Sequence, residues 1–209
     1  MAKLSNEAFW DIVDATIKTH HNHPEFESLQ AAELRTQLSR LSDLELRYFD
    51  RWSTLATYRM DGSPLICAAD VFFGEGEFSD DGLWYHCNWV TSLGSEQWNR
   101  AINDPDDFYA RFANDVDYPL RLHYDAGSFA YPIVLEQIES RQMGDLEIKE
   151  MDELIESERQ KPDERNLENF PKLKAKLVEH SCDDFDPFDC ELMKRARKHW
   201  EKQTNTNAR

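Results

Sequence analysis

The stretch SDLELRYFDRWSTLATYRMDG, residues 42–62, decides how this chain folds. It opens on Ser42-Asp43-Leu44-Glu45, a capping box. In that pattern serine and glutamate satisfy each other's backbone donors at a helix start. Leu44, Leu46, Phe49, Trp52 and Leu55 then recur at helical spacing, and Asp61-Gly62 supplies a stop. The stretch predicts a helix to about Met60 with a broad apolar face.

The same pattern extends in both directions. Upstream, Ser5 is placed to cap a helix over 6–19, with Phe9, Trp10, Ile12, Val13 and Ile17 on its apolar face. A loop containing His20, His21 and His23 precedes Pro24, and a second helix is expected over 28–41. Downstream, Pro64 suits a first helical turn, so 65–73 reads as a buried helix. Ser79 is placed to cap the next, with Asp80 and Asp81 in its first turn, Trp84, Trp89 and Leu93 along it, and Gly94 closing it. Ser95 starts a short helix with Trp98 and Ile102, which Asn103-Asp104-Pro105 breaks. Further helices are expected over 133–141, 146–159, 172–180 and 191–202.

The fold expected is mainly α: a compact multi-helix domain with C-terminal helices. A minor irregular or short β segment is allowed near 118–131, where Tyr118-Pro119 and Ala126-Gly127 loosen the pattern. Only 7 glycines and 8 prolines interrupt 209 residues, which favours helices over a many-turned sheet. The division expected is a helical domain over 1–124 and a helical extension over 125–209 packed on it.

Composition bounds the function. The net charge is −17, and residues 1–124 hold 21 acidic against 10 basic side chains. Nucleic acid is therefore not expected as a direct partner, since binding it requires cations to neutralise phosphates. Neither a membrane-spanning run nor a signal peptide is read, and cytoplasmic placement is expected. The cysteines at 67, 87, 182 and 190 fit no zinc-binding spacing. Cys67 and Cys87 lie in apolar helical pattern and read as reduced core residues.

No nucleophile elbow, glycine-rich phosphate loop or His-Glu-x-x-His helix is present, so no catalytic residue is assigned. Asp70, Glu75, Glu77, Asp80 and Asp81 could together offer oxygen ligands to a hard cation. Their spacing does not follow a calcium loop, and helix capping is the preferred reading. The histidines of the 20–23 loop lack cysteine or carboxylate partners at ligand spacing. No metal and no cofactor is assigned. His86 and His123 read as hydrogen-bonded structural histidines, and the tryptophans at 10, 52, 84, 89 and 98 as core. Phe185 and Phe188 lie between aspartates and read as packing on the protein's own core, ahead of anchoring a partner.

Four stretches carry a family resemblance. The opening Glu7-Ala8-Phe9-Trp10-Asp11-Ile12-Val13-Asp14 resembles the Phe-Trp-x-Ile-Ile-like first helix of a bacterial family, domain of unknown function family 4240 (DUF 4240). The stretch Ser79-Asp80-Asp81-Gly82-Leu83-Trp84-Tyr85-His86-Cys87-Asn88-Trp89-Val90 is similar to its Ser-Asp-Asp-Gly-Phe-x-Tyr-Phe-x-x-Trp-Leu-like motif. Gly94, Trp98, Ala101 and Asp104-Pro105-Asp106 match the short helix that follows. The resemblance spans about residues 5–115 and departs at Leu83 and His86, where the family usually has phenylalanine. Phe170-Pro171-Lys172-Leu173 is similar to a Pro-x-Leu element seen after this domain. The resemblance implies a small bacterial cytosolic protein. It also implies a gene of a kind sometimes found near secreted toxins or regulatory genes.

Three functions compete. One is a protein-binding inhibitor, for example an immunity protein neutralising a basic toxin such as a nuclease. Its candidate contacts are Glu75, Glu77, Asp80, Asp81, Asp104, Asp106 and Asp107, which would steer a basic protein partner. The second is a regulatory or structural helical module without catalysis. The third is a carboxylate-based, metal-dependent enzyme.

Overall fold

The capping box forms as its residues require. Ser42 donates its backbone N–H and its hydroxyl to Glu45 Oε2, and Glu45 N–H returns to Ser42 Oγ. These bonds hold the Glu45 carboxyl below its ordinary range, the serine hydroxyl first among the causes. The helix they start runs over Asp43–Met60.

The computed structural model describes residues 3–18, 26–60, 63–73, 80–112, 130–144, 147–160, 170–172 and 175. Among them the chain is helical and no strand occurs. The helices are α1 (Asn6–Lys18), α2 (Phe26–Ser39), α3 (Asp43–Met60), α4 (Pro64–Phe73), α5 (Asp80–Ser92), α6 (Ser95–Asn103), α7 (Pro105–Phe112), α8 (Ala130–Ser140) and α9 (Lys149–Arg159). None of these is long and apolar enough to cross a membrane.

α3 is the centre of the packing, meeting α1, α4, α5, α8 and α9. Its Leu46, Tyr48, Phe49 and Leu55 join Phe9 and Val13 of α1, Leu34 and Leu38 of α2, Ile133, Val134 and Ile138 of α8, and Met151 and Ile155 of α9 in one apolar core. Ala56 and Met60, at its other end, join a second core with α4, α5, α6 and α7. The two cores meet at a run of rings. Phe49 lies 5.0 Å from Phe9, Phe9 4.8 Å from Trp10, and Trp10 5.2 Å from Trp98. Such tilted and edge-on pairs add on the order of 1 kcal/mol each beyond the area they bury.

Two arginines reach backbone carbonyls at and beyond helix ends. Arg141 donates to the Leu38 carbonyl in the last turn of α2 and to that of Leu41 just beyond it, and Arg47 donates to the carbonyls of Met143 and Gly144. The Leu38 carbonyl also accepts the Leu41 N–H at 3.1 Å, so Arg141 is a second donor there, and Arg47 ties α3 to the segment that follows α8. Lys3 and Tyr48 converge on Glu150, tying the N-terminal segment to α9.

Several boundaries differ from those read in the sequence. α8 begins at Ala130, because Pro132 is tolerated within a first helical turn. α9 begins at Lys149, three residues late, because Ile148 leaves helical geometry (φ −113°) and is itself buried in the core. α7 was not expected, since Asp104-Pro105 reads as a break. The same residues also begin a helix: Asp104 accepts the Asp107 N–H through Oδ1 at 3.0 Å, and Pro105 occupies the first position. The histidines at 20, 21, 23 and 123, Cys182, Cys190, Phe185, Phe188 and the 118–129 stretch lie outside the described residues. So does nearly all of the chain beyond 172, including the helix expected over 191–202; of the one expected over 172–180 only residues 172 and 175 are described, and both are helical.

Phe9→Ala removes the ring that joins Phe49 to Trp10. It should lower the free energy of unfolding by about 3–5 kcal/mol in urea. A loss below about 1 kcal/mol would show that the two cores do not depend on this bridge.

Candidate functional site: the α5–α7 corner

α5 is buried over most of its length. His86, Cys87, Asn88, Trp89, Val90, Thr91 and Ser92 are all inside. Its polar side chains turn to backbone: Asn88 donates to the Trp84 carbonyl, Thr91 to that of Cys87 and Ser92 to that of Trp89. Its N-terminal half emerges from the core. Leu83 and Trp84 are half-buried, and Tyr85 is 45% exposed. Tyr85 is the one large apolar side chain among the described residues that is open to this degree. Trp84 lies edge-on to it at 5.7 Å.

On the inner side, His86 Nε2 shares a hydrogen bond with the Tyr109 hydroxyl of α7. The two rings stack at 5.9 Å, and Trp89 lies 5.4 Å from the imidazole. His86 and Tyr109 are both fully enclosed, so this pair locks α5 to α7 and is closed to a substrate. The structural reading of His86 holds. Cys67 and Cys87 are buried free thiols.

The α5–α6 turn is fixed from α1. Asp14 accepts the Ser95 N–H at 2.8 Å and the Ser95 hydroxyl at 2.6 Å. A carboxylate on a neighbouring helix thus caps α6, where the helix dipole favours negative charge. Gln30, 2% exposed, donates to the Ser92 carbonyl at 2.7 Å and to Thr16 Oγ1 at 3.2 Å. Gly94 sits between them at φ +90°, ψ 173°, a backbone region open in practice only to glycine. A Cβ there would stand 2.5 Å from Asp14 Oδ1 and 2.6 Å from Ile17 Cδ1.

The acidic residues singled out from the sequence separate into three groups. Glu75 and Glu77 lie outside the described residues. Asp80 and Asp81 form the first turn of α5. Asp104, Asp106 and Asp107 come together at the α6–α7 junction, where each has an intramolecular role. Lys172 Nζ lies 2.8 Å from Asp104 Oδ2 and 4.0 Å from Asp107 Oδ1. Asp107 also pairs with Arg111 at 2.7 Å, and Asp106 accepts the Lys172 N–H at 3.0 Å. The Lys172 hydrogen bond, with the Asp107 N–H second, holds the Asp104 carboxyl below its ordinary range. Asp104 in turn raises the Lys172 ammonium. The sequence reading missed Asp14, Tyr85 and Lys172. All three stand in stretches that carry the family resemblance, but nothing local assigned any of them a role. Among the described residues no group of three or more His, Cys, Asp or Glu is arranged to hold a metal ion.

The fold and this corner define an acidic domain, helical among the described residues, with an exposed aromatic where a largely buried helix leaves the core. The chain belongs to the family described as protein of unknown function (DUF4240), which it matches over residues 4–129. No curated protein and no solved structure matches it.

Gly94→Ala should destabilise the fold by about 2–3 kcal/mol, read from urea unfolding, because no L side chain fits that backbone beside Asp14. Asp104→Asn keeps an N-cap oxygen but removes the charge. A carboxyl whose folded pKa is depressed stabilises above its unfolded pKa, and that stability fades as pH falls through the folded value. The variant should therefore lose less stability than the parent between about pH 5 and pH 3. Parallel pH profiles would show that the Lys172 contact does not favour the charged form.

Proposed function

We propose that this protein works by binding another protein, and that its partner is basic. The observation that carries this reading is Tyr85, held 45% exposed on a helix whose following residues are all buried. Tyrosine and tryptophan are enriched among residues that dominate binding energy, because they bury much area for little lost freedom. Trp84 beside it widens the anchor. Asp80 and Asp81 open the same helix, and Glu75 and Glu77 precede it in sequence. These carboxylates would steer a cationic partner towards the anchor.

The charge balance supports the sign of the partner. Arg35, Arg51, Arg59 and Arg111 pair with carboxylates of their own chain, while Arg47 and Arg141 serve backbone carbonyls. With a net charge of −17, the field left to a partner is negative. In this reading the protein is not itself a catalyst and acts in the cytoplasm. Its sharper form is inhibition, with the partner a basic toxin such as a nuclease whose working surface is covered.

The test is capture from an extract of the native organism on the immobilised full-length chain, at low and at high salt. The parent should retain a stoichiometric basic protein at low salt and release it at high salt. Tyr85→Ala should weaken that capture at least about tenfold, with thermal unfolding unchanged. Capture unaffected by both salt and the substitution would contradict the proposal, as would the absence of any stoichiometric partner.

A further inference from the structure

The α6–α7 corner already holds a peptide: part of this same chain. Phe170 is 3% exposed and belongs to the apolar core built by α3 to α7. Two residues on, Lys172 makes both a backbone and a side-chain contact. Its N–H donates to Asp106 Oδ2 at 3.0 Å, and its ammonium bonds Asp104 Oδ2 at 2.8 Å. With residues 170–172 in place Asp106 is only 8% exposed. Phe170, Pro171 and Lys172 all lie beyond the family match, which ends at residue 129, whereas Asp104 and Asp106 lie within it.

We infer that the family domain carries at this corner a docking site for a short Phe-Pro-Lys peptide, filled here by the chain's own residues 170–172. The recognition has three parts. An apolar site takes the phenylalanine ring. Asp106 reads the main chain two residues later and so sets the register. Asp104, with Asp107 beside it, takes the cation. Pro171 fixes φ between anchor and cation, which lowers the entropy lost on docking. A tethered segment is present at an effective concentration on the order of millimolar, so the chain's own copy excludes a free peptide of like sequence. The segment is thus a built-in competitor for whatever else carries this motif. The inference stands apart from the Tyr85 reading and does not depend on it.

The test uses the full-length chain and a fluorescent synthetic peptide of residues 166–177, read by anisotropy. Phe170→Ala empties the apolar part of the site. It should bind the peptide at least about tenfold more tightly than the parent chain, whose site is occupied. A peptide with alanine in place of phenylalanine should not bind, and adding Asp106→Ala to the variant should abolish binding. Lys172→Glu is the second variant, for which loss of the core ring is not an issue; it should also take up the peptide more tightly than the parent. The inference is overturned if a folded Phe170→Ala chain ignores the peptide. It is equally overturned if Lys172→Glu and the parent bind it alike, in which case residues 170–172 are ordinary core packing.

Discussion

The structure depends on one helix that must be covered on several sides at once. α3 carries apolar side chains along its length, and no single neighbour can bury them. Its Leu46, Phe49 and Leu55 require α1, α2, α8 and α9, while Ala56 and Met60 require α4 to α7. The result is two cores on one axis rather than two independent bundles. Tryptophans serve as both filler and tie: Trp98 donates its indole N–H to the Ala56 carbonyl, and Trp52 donates to that of Leu4. Each buries a large ring while satisfying its one polar atom.

Charge is arranged around this frame in a definite way. Cations turn inward to helix ends and to carboxylates of neighbouring helices, as Arg141 does at the end of α2 and Lys172 at the start of α7. Carboxylates serve as caps at Glu45, Asp14 and Asp104. These are local uses of a few side chains, and they leave the large acidic excess unbalanced. Exposed ion pairs of this kind contribute little to stability individually. Their effect on recognition is larger, because they set the sign of the field a partner meets.

How much of this could be read from the chain follows from the range of each interaction. The Ser42–Glu45 box, the Ser5 cap and the apolar faces of α1 and α3 were legible, because each is encoded within one or two helical turns. α7 was readable in principle from Asp104-Pro105, but a helix break and a helix start share that signature. The Asp14–Ser95 cap and the Lys172–Asp104 pair join residues 81 and 68 positions apart, and periodicity carries no information at that range. Tyr85 was legible as a motif residue and not as an exposed one. Its exposure depends on where α5 leaves the core, which α3 and α7 decide. Of the acidic residues singled out, Asp104, Asp106 and Asp107 do gather at one place, where their described contacts lie within the chain itself.

The claim on which the rest stands is that α3 joins both cores, and the C-terminal helices with them, into one cooperative unit. Native-state amide hydrogen exchange of the full-length chain, followed across increasing denaturant, tests it most directly. The account predicts that the most protected amides of α1, α3, α5, α8 and α9 exchange at one common free energy, that of global unfolding. Release of α8 and α9 at a clearly lower free energy, with α3 to α7 still closed, would contradict it.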